Sequence, residues 1–367
     1  MSAFRTKPFG SKKDKKNPPI LSHEFVIQNH ADIVSCVAMV FVVGLMMQAT
    51  SSLASIFIVM GHNVTDVEAS ENAKNEPYLY ESGWMDAAAV FFYTLICIIM
   101  HAILQEYVLD KVSKKLHLSK FKLSRFNESG QLVVFYLLSF FWGAEVIMRE
   151  KYAENMSRLW TDYPNHPMIF IHKLYFIIQL SYYLHMIPEL YFQKVKKDEQ
   201  PAKMQHSLAG TAIIAFFYFF AYRRIAIVLL TLHYFSEFVA HTFGLLEVFD
   251  KEEKYVKFRV FNNLIFLLTA FSTLVLSFLT FFTGIGRTHS TRGMLGLVVA
   301  FSIQGFLIFR FIASFLKSKR ESKEQSVKVI KKVKTSTTTG KKDRKKESDL
   351  PEADQNTNVN QKKVKTK

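Results

Sequence analysis

Residues 207–246, SLAGTAIIAFFYFFAYRRIAIVLLTLHYFSEFVAHTFGLL, form a mainly apolar block that is split near its middle by two adjacent arginines, Arg223 and Arg224. A membrane-spanning helix needs about 20 mainly apolar residues, so this block is too long for one span. Two adjacent arginines in the middle of a bilayer would also be costly. The block therefore predicts two membrane helices, 207–222 and 225–246, joined by a tight turn at the arginine pair.

Apolar segments of the same kind continue on both sides of this block. The 367-residue chain is 49% hydrophobic and contains 35 phenylalanines, yet its formal net charge is +16. A membrane protein with basic tails explains both properties at once, which disfavours a nucleic-acid-binding function. We predict an all-α polytopic membrane helix bundle of about eight transmembrane helices, at 31–59, 86–105, 131–149, 168–188, 207–222, 225–246, 260–283 and 293–316.

The charges of the loops predict the orientation of these helices. Lysine-rich segments alternate with less basic ones, as cytoplasmic segments do in multi-pass proteins. An even number of spans then places both termini in the cytoplasm, with residues 1–30 as the N-terminal tail. Residues 321–367 are rich in Lys, Ser, Thr and Glu and cannot bury enough apolar surface to fold alone. We predict that they form a disordered basic cytoplasmic tail.

The acidic loop 60–85 is predicted to be lumenal. It contains Asn63-Val64-Thr65, an acceptor sequence for N-glycosylation, so Asn63 is a predicted glycosylation site. The two cysteines, Cys36 and Cys97, lie in apolar segments and are expected to be free thiols.

Polar residues inside the predicted spans are candidates for function, because burying them in a membrane is expensive. His233, Glu237 and His241 are spaced by four and should share one face of their helix. Three interpretations stay open. The stripe could bind a metal, although its histidines are about 12 Å apart along the axis and would need partners from other helices. It could perform acid–base chemistry on a lipid, or it could face the bundle interior and bond to neighbouring helices.

Five segments of the chain resemble the translocating chain-associated membrane protein family. They are LSHEFVIQNHADIVSCVAMVF, LQEYVLDK, RFNESGQL, YLHMIPELYFQK and VLLTLHYFSEFVAH, and they occur in order between about residues 20 and 316. The family is similar to a wider group that shares the TLC domain and includes ceramide synthases. By this resemblance, residues 31–120 would form the first two transmembrane helices with the lumenal loop, and residues 121–320 would form the TLC domain.

The resemblance implies an endoplasmic reticulum membrane protein beside the protein-conducting channel complex. It would contact nascent secretory and membrane polypeptides and assist translocation and the insertion of transmembrane segments, with the ribosome and membrane lipids as further partners. No cofactor or metal is expected. We hypothesise that a polar intramembrane groove serves this function, lined by Glu145, His185, His206, Arg224, His233, Glu237 and His241.

The resemblance also bears on enzyme activity. Ceramide synthases carry a His-His pair in one span and a His-Asp pair in the next, and the positions that look equivalent are Gln205-His206 and His233-Tyr234. One histidine and the aspartate are missing, so we expect that this chain is not an enzyme. The alternative function is a TLC-type lipid enzyme or a protein that binds sphingolipids or acyl lipids.

Overall fold

The computed structural model describes residues 22–64, 78–249 and 256–339, and these are helical almost throughout, which confirms the predicted class. In chain order the elements are α1 His23–Gln28, α2 His30–Met46, α3 Ser51–Ile58, β1 Asn63–Val64, β2 Leu79–Tyr80, α4 Asp86–Leu104, α5 Asp110–Leu116, α6 Lys120–Arg149, β3 Met168–Ile169, α7 Phe170–Phe192, α8 Gln200–Phe219, α9 Arg223–Phe249, α10 Val256–Ser277, α11 Gly286–Thr288 and α12 Ser290–Thr339. Two π-helical segments, Gln105–Leu109 and Phe278–Ile285, join α4 to α5 and α10 to α11, and a 3-10 turn covers Met156–Leu159.

Each of the eight predicted spans contains one long helix of the described chain. Among the residues that the structure describes, five helical stretches are long and apolar enough to cross a membrane: Asp86–Leu116, Lys120–Arg149, Arg223–Phe249, Phe258–Thr288 and Ser290–Arg320. The apolar helix α2 is shorter, at 17 residues. Helices α7 and α8, of 23 and 20 residues, are long enough but too polar to meet the same criterion. The protein is therefore a multi-pass membrane protein.

The first predicted span, 31–59, is wrong as a single straight helix. The chain reverses after Met46, and α3 folds back along α2, so that the rings of Phe41 and Phe57 lie 4.7 Å apart. In a straight helix these two residues would be about 24 Å apart. The Thr50 hydroxyl donates to the Gly44 carbonyl oxygen at 2.8 Å, which closes the turn. Polar residues in the sequence QATSS favour this break, because their side chains compete for backbone hydrogen bonds.

A small three-stranded antiparallel sheet lies at one end of the bundle, which we call the sheet end. Strand β2 pairs with β1 on one side and with β3 on the other, with Asn63 opposite Tyr80 and Tyr80 opposite Met168. The strands have two residues each, so they carry no alternating pattern that could be detected in the sequence. The sheet ties the segment after α3 to the segments that precede α4 and α7.

Helix α7 is the most buried helix of the bundle, with both apolar and polar side chains packed inside. Small residues allow its neighbours to approach closely, as is common in membrane bundles. A Cβ on Gly210 of α8 would lie 2.3 Å from the Tyr183 ring of α7, and one on Gly143 of α6 would lie 2.0 Å from Thr231 Oγ1 of α9. These glycines bring α8 onto α7 and α6 onto α9.

The predicted tight hairpin at the arginine pair is confirmed. Helix α8 ends at Phe219, and α9 begins at Arg223. Ala221 takes up the left-handed conformation in the turn, with φ of 62°. The turn lies at the sheet end, where the Tyr163 hydroxyl donates to the Phe220 carbonyl oxygen at 3.0 Å.

The chain divides into two compact units, up to Gln304 and from Gly305. In the second unit α12 continues to Thr339, well beyond the predicted last span. The helix therefore extends into the first part of the predicted tail, residues 321–339, because lengthening an existing helix needs no new nucleation. Residues 340–367 of the predicted tail lie outside the described residues.

Candidate functional site

The predicted polar stripe lies on one face of α9. The Glu237 carboxylate is 3.6 Å from His241 Nε2, one helical turn further on. The His241 ring stacks on Tyr136 of α6, with centroids 5.6 Å apart. The side chains of His241 and Glu237 are 27% and 30% exposed. A partly exposed carboxylate midway along a membrane helix requires polar surroundings, because hydrocarbon cannot solvate it.

Tyrosines from two other helices border this stripe. The hydroxyl group of Tyr183 on α7 lies beside those of Tyr136 and Tyr234 and close to Glu237. The Tyr183 ring also contacts exposed His206 of α8, at a centroid distance of 5.7 Å. Helix α8 packs mainly on α7, whereas α9 packs mainly on α6 and α10, so the two helices of the hairpin separate beyond their turn. We call the region bordered by His206, Tyr183, Tyr136, Glu237 and His241 the tyrosine groove.

His233 and Tyr234 have different environments although they are adjacent. His233 is half-buried, one turn before Glu237 on the striped face. Tyr234 is fully buried, and its ring lies 5.6 Å from that of Tyr136 and 5.7 Å from that of Phe135. Successive residues of a helix point about 100° apart, which explains the difference. The residue after His233 is therefore part of the α6–α9 core.

The structure does not bring three other predicted groove residues to the same place. Glu145 forms an ion pair of 2.9 Å with Arg149 on its own helix, and both side chains are exposed. Arg224 donates to two carbonyl oxygens of the 150–167 loop, at 2.8 and 3.0 Å, and so holds that loop at the sheet end. His185 is buried in a separate polar cluster.

This histidine cluster joins α4 to α7 at the end opposite the sheet. His185 Nε2 lies 3.4 Å from His101 Nδ1, and His101 Nε2 lies 3.8 Å from the Glu189 carboxylate. The Gln193 amide bonds to both His101 and Glu189, at 2.8 and 3.1 Å. The helix changes to π geometry at Gln105, four residues after His101. Sequence analysis could not assemble the cluster, because its members come from helices more than 80 positions apart.

A buried ion pair holds the sheet end together. Lys173 Nζ lies 2.7 Å from the Asp86 carboxylate, and the two side chains are 0% and 2% exposed. The lysine also donates to the carbonyl oxygens of Gly61 and Glu81, at 2.9 and 2.6 Å. The Tyr218 hydroxyl donates to the other oxygen of Asp86 at 2.8 Å. The pair was not among the predicted site residues, although both charges fall within predicted spans.

Burial shifts the pKa values of two side chains in the loop between α6 and β3, which lies outside the predicted membrane spans. Burial raises the pKa of Tyr152 above its ordinary value, and the nearby Arg224 charge partly opposes the change. Burial lowers the pKa of His166 well below its ordinary value, and the charges of Arg224 and Arg223 lower it further. Both groups are therefore neutral at pH 7.

Two further predictions concern metal binding and glycosylation. Within the described ranges, no three His, Cys, Asp or Glu side chains have a geometry that could hold a metal ion. Asn63 lies in β1 with its side chain exposed, which leaves its amide accessible. Thr65 of its acceptor sequence lies outside the described residues.

Comparison with known proteins identifies the family. Residues 125–269 match the family model described as the TLC domain, which covers most of α6 to α10. The chain is 38% identical over 329 residues to translocating chain-associated membrane protein 2 of Homo sapiens, with 85% of this chain and 87% of that protein covered. The protein of the same name from Mus musculus is 39% identical over 331 residues, with the same coverage.

A more distant relative carries an enzyme name. It is the sphingosine N-acyltransferase-like protein ALT7 of Alternaria alternata, which is 26% identical over 153 residues, 42% of this chain and 35% of that protein. This match is confined to a smaller part of the chain, whereas the two relatives above cover nearly all of it. The chain belongs to the translocating chain-associated membrane protein family.

Proposed function

We propose that this chain is a translocon accessory protein of the endoplasmic reticulum membrane, without enzyme activity. It contacts nascent polypeptides beside the protein-conducting channel complex and assists their translocation and the insertion of transmembrane segments. The observation that carries the proposal is the 38% identity over 85% of the chain to a relative named for association with translocating chains. The multi-pass helix bundle suits a protein that acts inside the same membrane as the channel.

The tyrosine groove is the surface that we assign to the nascent chain. It combines a Glu237–His241 pair that is about 30% exposed with exposed His206, over a floor of buried tyrosine rings that includes Tyr136 and Tyr183. A moderately polar segment leaving the channel loses hydration when it meets hydrocarbon, and each unsatisfied polar group then costs several kcal/mol. Polar side chains within the bilayer lower that cost. Weakly hydrophobic segments should therefore depend on the groove most.

The proposed orientation places the sheet end in the lumen and both termini in the cytoplasm. Helix α3 has eight residues and is about 12 Å long, too short to cross the membrane, so the chain between α2 and α4 begins and ends on the same side. The number of crossings before α4 is then unchanged from the sequence-based topology. Lysines of α5 and of the α7–α8 connection lie at the other end, where an excess of positive charge is expected on the cytoplasmic side.

Photo-crosslinking in microsomes tests contact with nascent chains. A photoreactive residue at position 206 or 237 should crosslink to a ribosome-stalled secretory chain with a weak signal sequence. The matched control is position 271, an apolar side chain of α10 that is 69% exposed and is not one of the groove residues. Equal crosslinking at all three positions would contradict a specific role for the groove.

Reconstitution tests the need for the groove. Vesicles with the channel complex should translocate a weak-signal substrate better with the wild-type chain than with Glu237→Gln/His241→Leu, while Phe271→Ala should behave as wild type. A strong-signal substrate should be unaffected by any of these changes. Equal translocation by all variants and by vesicles that lack the chain would refute the proposal.

Lipid chemistry is the second candidate function, favoured by the TLC-domain match and by the match to a sphingosine N-acyltransferase-like protein. The tyrosine groove would then hold an acyl chain or a sphingoid base. Purified protein with acyl-CoA and sphingoid base provides the assay. Turnover that disappears in His233→Ala would replace the proposed function with this one. Lipid that copurifies without turnover would instead indicate binding alone.

A further inference from the structure

A small polar cavity lies at the sheet end, between the start of α7, the start of α9 and the 150–167 loop. Its volume is about 30 Å³. This exceeds the roughly 10–15 Å³ that one water molecule needs, so it also has room for a larger single ion. The polar side chains that line it are Glu150, Tyr152, His166, His172, Arg223 and Arg224. The lining thus contains two arginines and two histidines against one carboxylate.

Arg223 is the key residue, because its charge is buried without a neutralising partner. Its side chain is 5% exposed, and none of the described carboxylates lies within 4 Å of it. Its guanidinium group has only two long hydrogen bonds, to Ser82 Oγ and to the His166 carbonyl oxygen, each at 3.4 Å. Its Nε has no bonding partner. Buried charges are normally paired, since an uncompensated one is strongly destabilising.

The carboxylates around Arg223 are already used or are too far away. Asp86 pairs with Lys173, which is itself a second buried cation. Glu150 faces the His172 ring at 3.6 Å. Glu81 is exposed at the rim, beyond ion-pair distance. A histidine ring does not neutralise Glu150 unless it is protonated, so Glu150 can offset the charge of one of the two arginines, and one positive charge stays without a buried countercharge.

Unpaired hydrogen-bonding groups surround the same space. Neither ring nitrogen of His166 bonds to another residue, and His172 Nε2 also lacks a hydrogen-bond partner. Both rings are more than nine-tenths buried. Arg224 adds a second guanidinium group, which is fixed in place by its bonds to the loop. The cavity thus offers N–H donors from several elements of the fold. Its one carboxylate, that of Glu150, faces the His172 ring.

We propose that this cavity is a binding site for one small monovalent anion of the halide class, held by Arg223 with N–H groups of His166, His172 and Arg224. The anion supplies the missing countercharge and joins the α8–α9 hairpin to α7 and to the 150–167 loop. A water molecule fits the volume and can satisfy donors, but it cannot balance the charge. The proposal is independent of the proposed function.

Thermal unfolding of the full chain in a defined detergent tests the site. Sodium chloride is titrated against sodium gluconate at constant ionic strength. For the wild type we expect a saturable rise in melting temperature, of about 5 °C when chloride reaches 100 times its dissociation constant. Arg223→Gln should lose this dependence. The control is Arg292→Gln, because Arg292 is an exposed arginine outside the cavity lining, and it should keep the full dependence.

A comparison without chloride separates an anion site from a merely structural arginine. In gluconate, Arg223→Gln should melt at or above the wild-type temperature, because the substitution removes a charge that nothing neutralises. In chloride it should melt below the wild type. Bromide in a crystal should give an anomalous peak in the cavity. An equal loss of stability in both salts, or a water molecule only at this position, would overturn the proposal. If Arg223→Gln fails to fold, His166→Asn with the same titration decides the question.

Discussion

Replacing Lys173 by methionine should strongly destabilise the bundle. The lysine side chain is fully buried, and its ammonium group contacts the Asp86 carboxylate and two carbonyl oxygens at 2.6 to 2.9 Å. Methionine fills a similar volume but leaves a buried carboxylate without its countercharge. Breaking a buried ion pair in this way costs about 3–5 kcal/mol of unfolding free energy. At roughly 2 °C for each kcal/mol, the melting temperature should fall by about 6–10 °C.

A thiol-reactive dye can follow this unfolding in detergent. The chain has two cysteines, so in a Cys36→Ser background the dye reports Cys97 alone, which is partly buried in α4. Lys111→Met is the matched control, because Lys111 is exposed on α5 and should shift the melting temperature little.

A second substitution shows whether charge is the cause. Lys173→Met/Asp86→Asn should recover much of the lost stability, because the neutral amide oxygen can still accept the bond from Tyr218. The reasoning is refuted if Lys173→Met melts like the Lys111→Met control. It is also refuted if the double variant is no more stable than Lys173→Met.

Three further predictions concern packing, pH and modification. Gly143→Ala should lower the unfolding free energy by about 1–3 kcal/mol, measured by thermal unfolding, because the added Cβ would lie 2.0 Å from Thr231 Oγ1. The control is Gly305→Ala, which should be nearly neutral because its added Cβ meets nothing within 4 Å. Because the pKa of His166 is lowered in the folded state, the unfolded state binds more protons below about pH 6.5. The unfolding free energy should therefore decrease as the pH is lowered, by up to about 1.4 kcal/mol per pH unit. His166→Asn should flatten the plot of melting temperature against pH between pH 7.5 and 5.5. Asn63 should carry a glycan, so endoglycosidase should increase the gel mobility of the wild type and leave Asn63→Gln unchanged; equal mobility of the wild type before and after treatment would contradict this prediction.

Hydropathy located the long helices but missed the reversal after Met46. Residues 31–59 contain enough apolar side chains for one long span, and hydropathy averages over the polar cluster around Thr50. The hydroxyl of Thr50 bonds to the Gly44 carbonyl oxygen, and a Cβ added at Gly44 would lie 3.4 Å from the Ala54 Cβ, so the two helices are close there. These are contacts of individual residues, which an average over the segment does not detect. A cluster of Gln, Thr and Ser inside an apolar run is a turn signal that a residue-by-residue inspection could have used.

Partners from distant parts of the chain could not be predicted. Asp86 and Lys173 lie at the beginnings of two predicted spans, where charges are usually taken as contacts with the membrane surface. Which of them meet depends on the packing of α4 against α7, and no local pattern encodes this. His101 and Glu189 illustrate the same limit at the opposite end of the bundle.

Helical spacing accounts for one pair within the predicted groove, whereas the groove itself stays a prediction. Glu237 and His241 pair on one face because residues four apart are neighbours on a helix. Glu145, His185 and Arg224 were added because they also lie in apolar segments. Depth in the membrane does not say which face of a helix a residue occupies, so these three fall in three different environments.

The residue that follows His233, Tyr234, bears on the proposed absence of acyl-transfer activity. By the resemblance to ceramide synthases, an enzyme would carry an aspartate there. In this chain Tyr234 occupies it, fully buried and packed against Tyr136 and Phe135 in the α6–α9 interface. A residue committed to this core cannot also orient or protonate His233 on the adjacent face. The stripe therefore retains partly exposed polar groups while the neighbouring position serves helix packing, which supports the proposed contact with nascent chains over acyl transfer.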